Sequence, residues 1–144
     1  MQSGLTVNQT AIAPSVQPRR TILVVDDFDD TRLLLRTWLE RRGFRVVEAA
    51  DGVEAVNSAI TELPDLIIMD MEMPQLDGLS ATRRIRQVNA LRTVPIVAVS
   101  AYGADQFREL ALEAGCDEYV STPFEPKALE RIIRTLLEVE PTLS

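Results

Sequence analysis

Five short apolar runs, each followed by a stretch with helical spacing, constrain this chain more than any other feature. The runs are Thr21 to Val25, Phe44 to Glu48, Asp65 to Met69, Ile96 to Val99 and Glu118 to Val120. All are too short for helices, and Thr21 to Val25 is β-branched and apolar on both faces, as buried parallel strands are. The intervening stretches carry helix punctuation. Asp29 or Asp30 can cap a helix through Arg42 with Leu34, Trp38 and Leu39 inward, and Gly43 is placed to end it. Asp51-Gly52 opens a second helix with Val53, Val56, Ala59 and Ile60 at helical spacing, stopped by Pro64. The spacing of Leu79, Ile85 and Val88 predicts a third from Gly78 to about Val88, after which Pro95 introduces the fourth strand. Asp105 can cap a fourth helix that Gly115 closes, and Pro126 suits the first turn of a fifth carrying Leu129, Ile132, Ile133, Leu136 and Leu137.

Five β-then-α units with right-handed crossovers imply an α/β fold, a doubly wound five-stranded parallel sheet with helices on both faces. Residues 1–20, rich in Ser, Thr, Gln, Asn and Pro, are expected to form a flexible tail before one domain at 21–138, with 139–144 frayed. A formal net charge of −7 disfavours a surface built to neutralise a nucleic-acid backbone. The apolar runs fall far short of the ~20 residues of a membrane span, and the start lacks a signal peptide's apolar core, so the expected compartment is the cytoplasm. A single cysteine, Cys116, forbids an internal disulfide, and the lack of histidine excludes histidine ligation and a Ser/His triad. Carboxylates, hydroxyls and metal must carry any chemistry.

Sheets of this class place ligands beyond the carboxyl ends of the strands. There the chain presents Asp26 and Asp27 after the first strand, Asp70 after the third, Ser100 after the fourth and Thr122-Pro123 after the fifth. In a 2-1-3-4-5 strand order the three aspartates converge, and a hard divalent cation such as magnesium relieves their repulsion. Such an ion could also hold phosphoryl oxygens and leave one carboxylate as nucleophile.

The segments ILVVDD, DLIIMDMEMPQLDG, VPIVAVSA and AGCDEYVSTPF, in this order, resemble the receiver domain of two-component response regulators over roughly Thr21 to Leu137. The resemblance implies the flavodoxin-like order 2-1-3-4-5, a phosphoacceptor at Asp70, and magnesium held by Asp26, Asp27, Asp70 and the backbone carbonyl of Met71. It also implies a switch hydroxyl at Ser100 and a switch aromatic at Tyr119. The family carries lysine before the proline that follows strand five, and Thr122 stands there instead. The one lysine of the chain, Lys127, lies five residues on, in a direction unsuited to replace it.

Other features read as structural: Asp77 as a helix cap, Pro74 as a rigid loop, Cys116 as an inert small residue, and Arg41-Arg42 and Arg83-Arg84 as solvated helix faces. The expected function is a single-domain phosphoacceptor, not an enzyme beyond self-catalysed phosphorylation and dephosphorylation. It takes its phosphoryl group from a histidine kinase or a histidine phosphotransfer protein, and it signals by contact with a downstream protein. A homodimer through helix four, strand five and helix five is compatible with the resemblance. An alternative is a scaffold that binds without phosphorylation because the lysine is lost. A haloacid-dehalogenase-like phosphohydrolase fits less well, because Asp26-Asp27-Phe28 is not a D-x-D pattern.

Overall fold

A computed structural model describes residues 19–73, 75–101 and 105–137, the side chain of Asp105 excepted. The expected tails at 1–20 and 139–144 and the loop proline Pro74 therefore fall wholly or largely outside the described residues, as does capping by the Asp105 side chain. The elements alternate: β1 (Thr21–Val25), α1 (Asp29–Arg41), β2 (Arg45–Ala49), α2 (Gly52–Glu62), β3 (Leu66–Asp70), α3 (Gly78–Arg86), β4 (Ile96–Ser100), α4 (Asp105–Ala114), β5 (Glu118–Ser121) and α5 (Pro126–Leu137). The strands form one parallel sheet in the order β2-β1-β3-β4-β5.

Strand periodicity sorts the core into two layers, because successive side chains point to opposite faces. Ile22, Val24, Leu66, Ile68, Val97 and Val120 face α1 and α5, where Leu39, Leu129 and Ile133 are buried against them. Leu23, Val25, Ile67, Met69, Ile96 and Ala98 face the layer of α2, α3 and α4. Burying each large aliphatic side chain contributes roughly 2 kcal/mol before the entropy of ordering it is subtracted.

Several boundaries depart from the periodicity. Leu34, expected inward, is 70 % exposed, and Leu35 takes its place with Trp38 and Leu39. Trp38 and Leu39 thus keep the expected face, and only this position moves, by one residue or about 100° around the helix. Val53 and Ile60 are likewise exposed, and α2 buries Gly52, Ala55 and Ala59 instead. Close approach explains this: a Cβ on Gly52 would lie 2.0 Å from the Leu76 carbonyl oxygen, so the line of smallest residues must face inward. Phe28 precedes α1 without a side-chain cap, so neither Asp29 nor Asp30 is the cap, although both lie in the first turn. The third helix ends at Arg86, and a 3-10 turn, Asn89–Leu91, that the spacing did not suggest buries Leu91.

Other punctuation acts as expected. Asp51 accepts from the Glu54 amide at 2.8 Å while Glu54 accepts from the Ala50 amide at 2.9 Å, a reciprocal cap worth about 1 kcal/mol. Asp77 caps α3 through the Ser80 amide at 2.8 Å. Gly115 ends α4 with φ +119, a conformation that strains residues with a Cβ. Arg42 is not simply solvated: it lies 4.2 Å over the Trp38 ring and pairs with Glu130, which ties the end of α1 to α5.

Candidate metal centre

The parallel register builds the site. Val25 pairs with Met69, so the next residue on each strand, Asp26 and Asp70, must emerge side by side at the carboxyl edge. The Asp26 amide still bonds the Ala49 carbonyl at 3.1 Å, and the Met71 amide bonds the Val99 carbonyl at 2.9 Å, so both acids stand on ordered backbone. Asp27 completes the group: one carboxylate oxygen from each of Asp26, Asp27 and Asp70 lies within 4.8 Å of the others. Gly78 keeps α3 close behind them, because a Cβ there would meet the Asp70 carbonyl oxygen at 2.4 Å.

This grouping costs electrostatic energy. Burial pushes the Asp70 carboxyl up to about 7, the Glu72 amide opposes that at 3.0 Å, and the charges of Asp26, Glu72 and Asp27 raise it further. Asp26 is also raised, chiefly by burial, while the Phe28 amide at 2.8 Å works the other way. Arg32 approaches but donates to the Asp26 backbone carbonyl, to Asp29 and to Glu48. Three hard oxygen donors, their charge offset only in part by Arg32 acting on Asp26, fit a divalent cation of the magnesium type, which would be held by Asp26, Asp27 and Asp70. The Met71 carbonyl accepts from the Gly78 amide at 3.4 Å, and the Met71 side chain is buried.

A cleft of about 550 Å³ opens from Asp26 and Asp70 toward α1 and α5, with Ser100, Thr122, Trp38 and Phe124 among its lining. No basic side chain lines it among the described residues, and Lys127 is exposed outside it. Ser100 is buried at the end of β4, and its hydroxyl donates to the Glu72 carboxylate. The Thr122 amide bonds the Ser100 carbonyl at 2.8 Å, which places Thr122 at the mouth of the cleft beside the end of β4. Tyr119, two positions before Ser121 on β5, is 8 % exposed and meets Phe107 of α4 edge to face at 6.1 Å. Cys116 is buried beside Thr82, and burial pushes its thiol up to about 11, away from the thiolate form that a reactive cysteine needs.

Glu72 escaped the sequence reading. The signal that could have found it is its position two residues beyond Asp70, where an Asp side chain commonly accepts from the amide two residues on and so holds that residue beside it.

Comparison with known proteins gives the constellation its context. The model of the response regulator receiver domain matches residues 22–134. A probable transcriptional regulator, ycf27, of Cyanophora paradoxa is 42 % identical over 128 residues, which cover 88 % of this chain and 52 % of that protein. An uncharacterized 14.6 kDa protein of Leptolyngbya boryana is 39 % identical over 113 residues, covering 78 % of this chain and 86 % of that one. The crystal structure of the receiver domain of sensor histidine kinase PA1611 from Pseudomonas aeruginosa PAO1, with magnesium coordinated in its active site cleft, matches with a TM-score of 0.78 and 38 % identity, covering 83 % of this chain and 98 % of that one. The chain spans about half the length of the transcriptional regulators it matches. Among the described residues no helix is long and apolar enough to cross a membrane. With the matched family extending from the first strand to the last helix and the acid cluster at the expected sheet edge, this chain belongs to the response regulator receiver domain family.

Proposed function

We propose that Asp70 accepts a phosphoryl group from the phosphohistidine of a kinase or phosphotransfer protein, with magnesium held by Asp26, Asp27, Asp70 and the Met71 carbonyl. The observation that carries this reading is the convergence of three carboxylates at the ends of β1 and β3 beside a buried hydroxyl. Bound magnesium supplies positive charge against the phosphoryl oxygens. An Asp70 carboxylate oxygen attacks phosphorus, the P–O bond forms as the P–N bond breaks, and the departing imidazole keeps the electron pair and takes a proton from solvent. Asp70 must be ionised to attack, and a cation among the three acids favours that form despite its raised pKa.

Output is a protein contact through α4, β5 and α5, where a homodimer could also form. The Phe107–Tyr119 contact between α4 and β5 supports this face as the coupled one. Ser100 and Tyr119 relay the state of Asp70, and Thr122 weakens the relay. Two aspartates, a phosphoryl group and magnesium sum to about −2, and a threonine hydroxyl cannot offset that as a lysine ammonium does. Acetyl phosphate with magnesium should label the wild type and leave Asp70→Asn unlabelled by intact mass; full labelling of the variant overturns the assignment.

The lack of a basic side chain among the described residues that line the cleft also favours a second reading, a scaffold that binds its partner regardless of phosphorylation. Equal partner affinity with and without beryllofluoride would select it.

A further inference from the structure

The Glu72 carboxylate reaches across the cleft to the end of β4 and accepts from two donors there: the Ser100 hydroxyl, and the Ala101 amide at 3.4 Å. Each Glu72 oxygen takes one donor, so the carboxylate sits on the end of β4 as a bound anion would. Its own amide donates to Asp70, which fixes the backbone of this internal anion directly to the phosphoacceptor. Ser100, Glu72 and Asp70 all line the same cleft.

A phosphoryl group formed on Asp70 brings up to two negative charges and three acceptor oxygens into that space. The Ser100 hydroxyl has one proton to donate, so it cannot serve the phosphoryl group and Glu72 together. Two anions crowded in a partly buried cleft also repel each other more strongly than they would in water.

We propose that Glu72 is a positioning residue that occupies Ser100 and the Ala101 amide in the resting protein and competes with the phosphoryl group for them. This inference rests on the phosphoacceptor reading of Asp70. Its consequence is a threshold. Engagement of β4 by the phosphoryl group requires that Glu72 first let go, so the gain from the new hydrogen bond is reduced by the loss of the old one.

Trp38, the chain's one tryptophan, lines the same cleft and supplies the readout. Beryllofluoride, a phosphoryl mimic, is titrated in magnesium buffer against the wild type, Glu72→Ala, Glu72→Gln, Ser100→Ala and the Glu72→Ala/Ser100→Ala double variant, with thermal melts confirming folding. Glu72→Ala should bind about fivefold tighter than wild type, and the same substitution in the Ser100→Ala background should gain only about twofold, because there the contested hydroxyl is gone. Glu72→Gln, which keeps an acceptor for Ser100 but not the charge, should fall between wild type and Glu72→Ala. Equal gains in both backgrounds would show that Glu72 acts by charge alone and would overturn the proposal, as would unchanged affinity in Glu72→Ala. Failure of every protein, wild type included, to bind beryllofluoride would instead overturn the phosphoacceptor reading and this inference with it.

Discussion

Glu48 and Asp70 stand at the same edge of the sheet, on the two strands that flank β1, yet the fold treats them oppositely. Glu48 accepts from Arg36 at 2.6 Å and from Arg32 at 2.9 Å, and these bonds, Arg36 foremost, hold its carboxyl below the usual range against the opposing effect of burial. Asp70 has an amide to accept from but, among the described residues, no guanidinium, and burial with three neighbouring acids drives it the other way. Arg32 lies close enough to donate to the backbone of Asp26 and still directs its side-chain pairing to Glu48 and Asp29. The protein therefore neutralises the peripheral acid internally and leaves most of the charge of the central cluster, which only Arg32 partly offsets at Asp26, to be met from outside.

The largest expected effect is on metal affinity. Asp27→Ala and Asp70→Asn should each weaken magnesium binding by at least about tenfold, while Glu48→Gln should leave it within about twofold, by calorimetric titration. A tenfold loss in Glu48→Gln would erase the distinction between the two acids. Stability should respond in reverse. Glu48→Gln leaves two arginines short of a partner and should cost ~1 kcal/mol in urea unfolding, because both ion pairs are partly screened by solvent. Asp70→Asn in chelator should stabilise, since it removes a carboxylate whose charge the fold disfavours. Such removal of strain at functional sites commonly has this sign.

The same contrast gives opposite pH slopes in metal-free protein. The folded Asp70 holds its proton up to about 7 whereas an unperturbed aspartate releases it near 3.8, so the native state binds more protons in that window and stability falls as pH rises through it. Asp26 adds to this slope with the same sign. Glu48, lowered from 4.5, does the opposite: its contribution is present above that pH and is lost as pH falls below it. Denaturation midpoints measured across pH should lose the neutral-side decline in Asp70→Asn and soften the acid-side decline in Glu48→Gln. Magnesium should flatten the neutral-side decline in the wild type alone.

The smallest effect sharpens the comparison by giving the cleft a cation of its own. Thr122→Lys should lower the Asp70 carboxyl by less than about one unit in a carboxyl NMR titration, because position 122 is exposed and solvent screens the charge. The same variant should enlarge beryllofluoride-induced shifts in α4 and β5. Full-size shifts already present in the wild type would show that the threonine does not limit the coupling.

The two acids also mark how far the sequence can be read. The cluster of Asp26, Asp27 and Asp70 was legible because parallel pairing carries equal steps along β1 and β3 to neighbouring positions, so three acids at two strand ends had to meet. The arginine pairing of Glu48 was not, because Arg32 and Arg36 each pair with an acid of their own helix, Asp29 and Glu40, and only the packing of α1 beside β2 brings Glu48 within reach of both as well. Helix existence and order were legible for a similar reason of periodicity. The inward face was not always so: Leu34 and Leu35 differ by one step around α1, and both satisfy an apolar stripe until the sheet presents its surface.

Local chemistry in the chain thus determined the five strands, their punctuation by Asp51, Asp77 and Gly115, and the edge at which the acids gather. These depend on backbone preferences and on the two-residue period of a strand, which neighbours in sequence suffice to express. Only the tertiary structure decided that α2 presents Gly52, Ala55 and Ala59 rather than Val53 and Ile60, that Glu72 reaches Ser100, and that Arg32 and Arg36 both pair with Glu48. Those choices depend on the distance between elements and on competition among side chains for a few donors, quantities that exist only once distant segments share a surface.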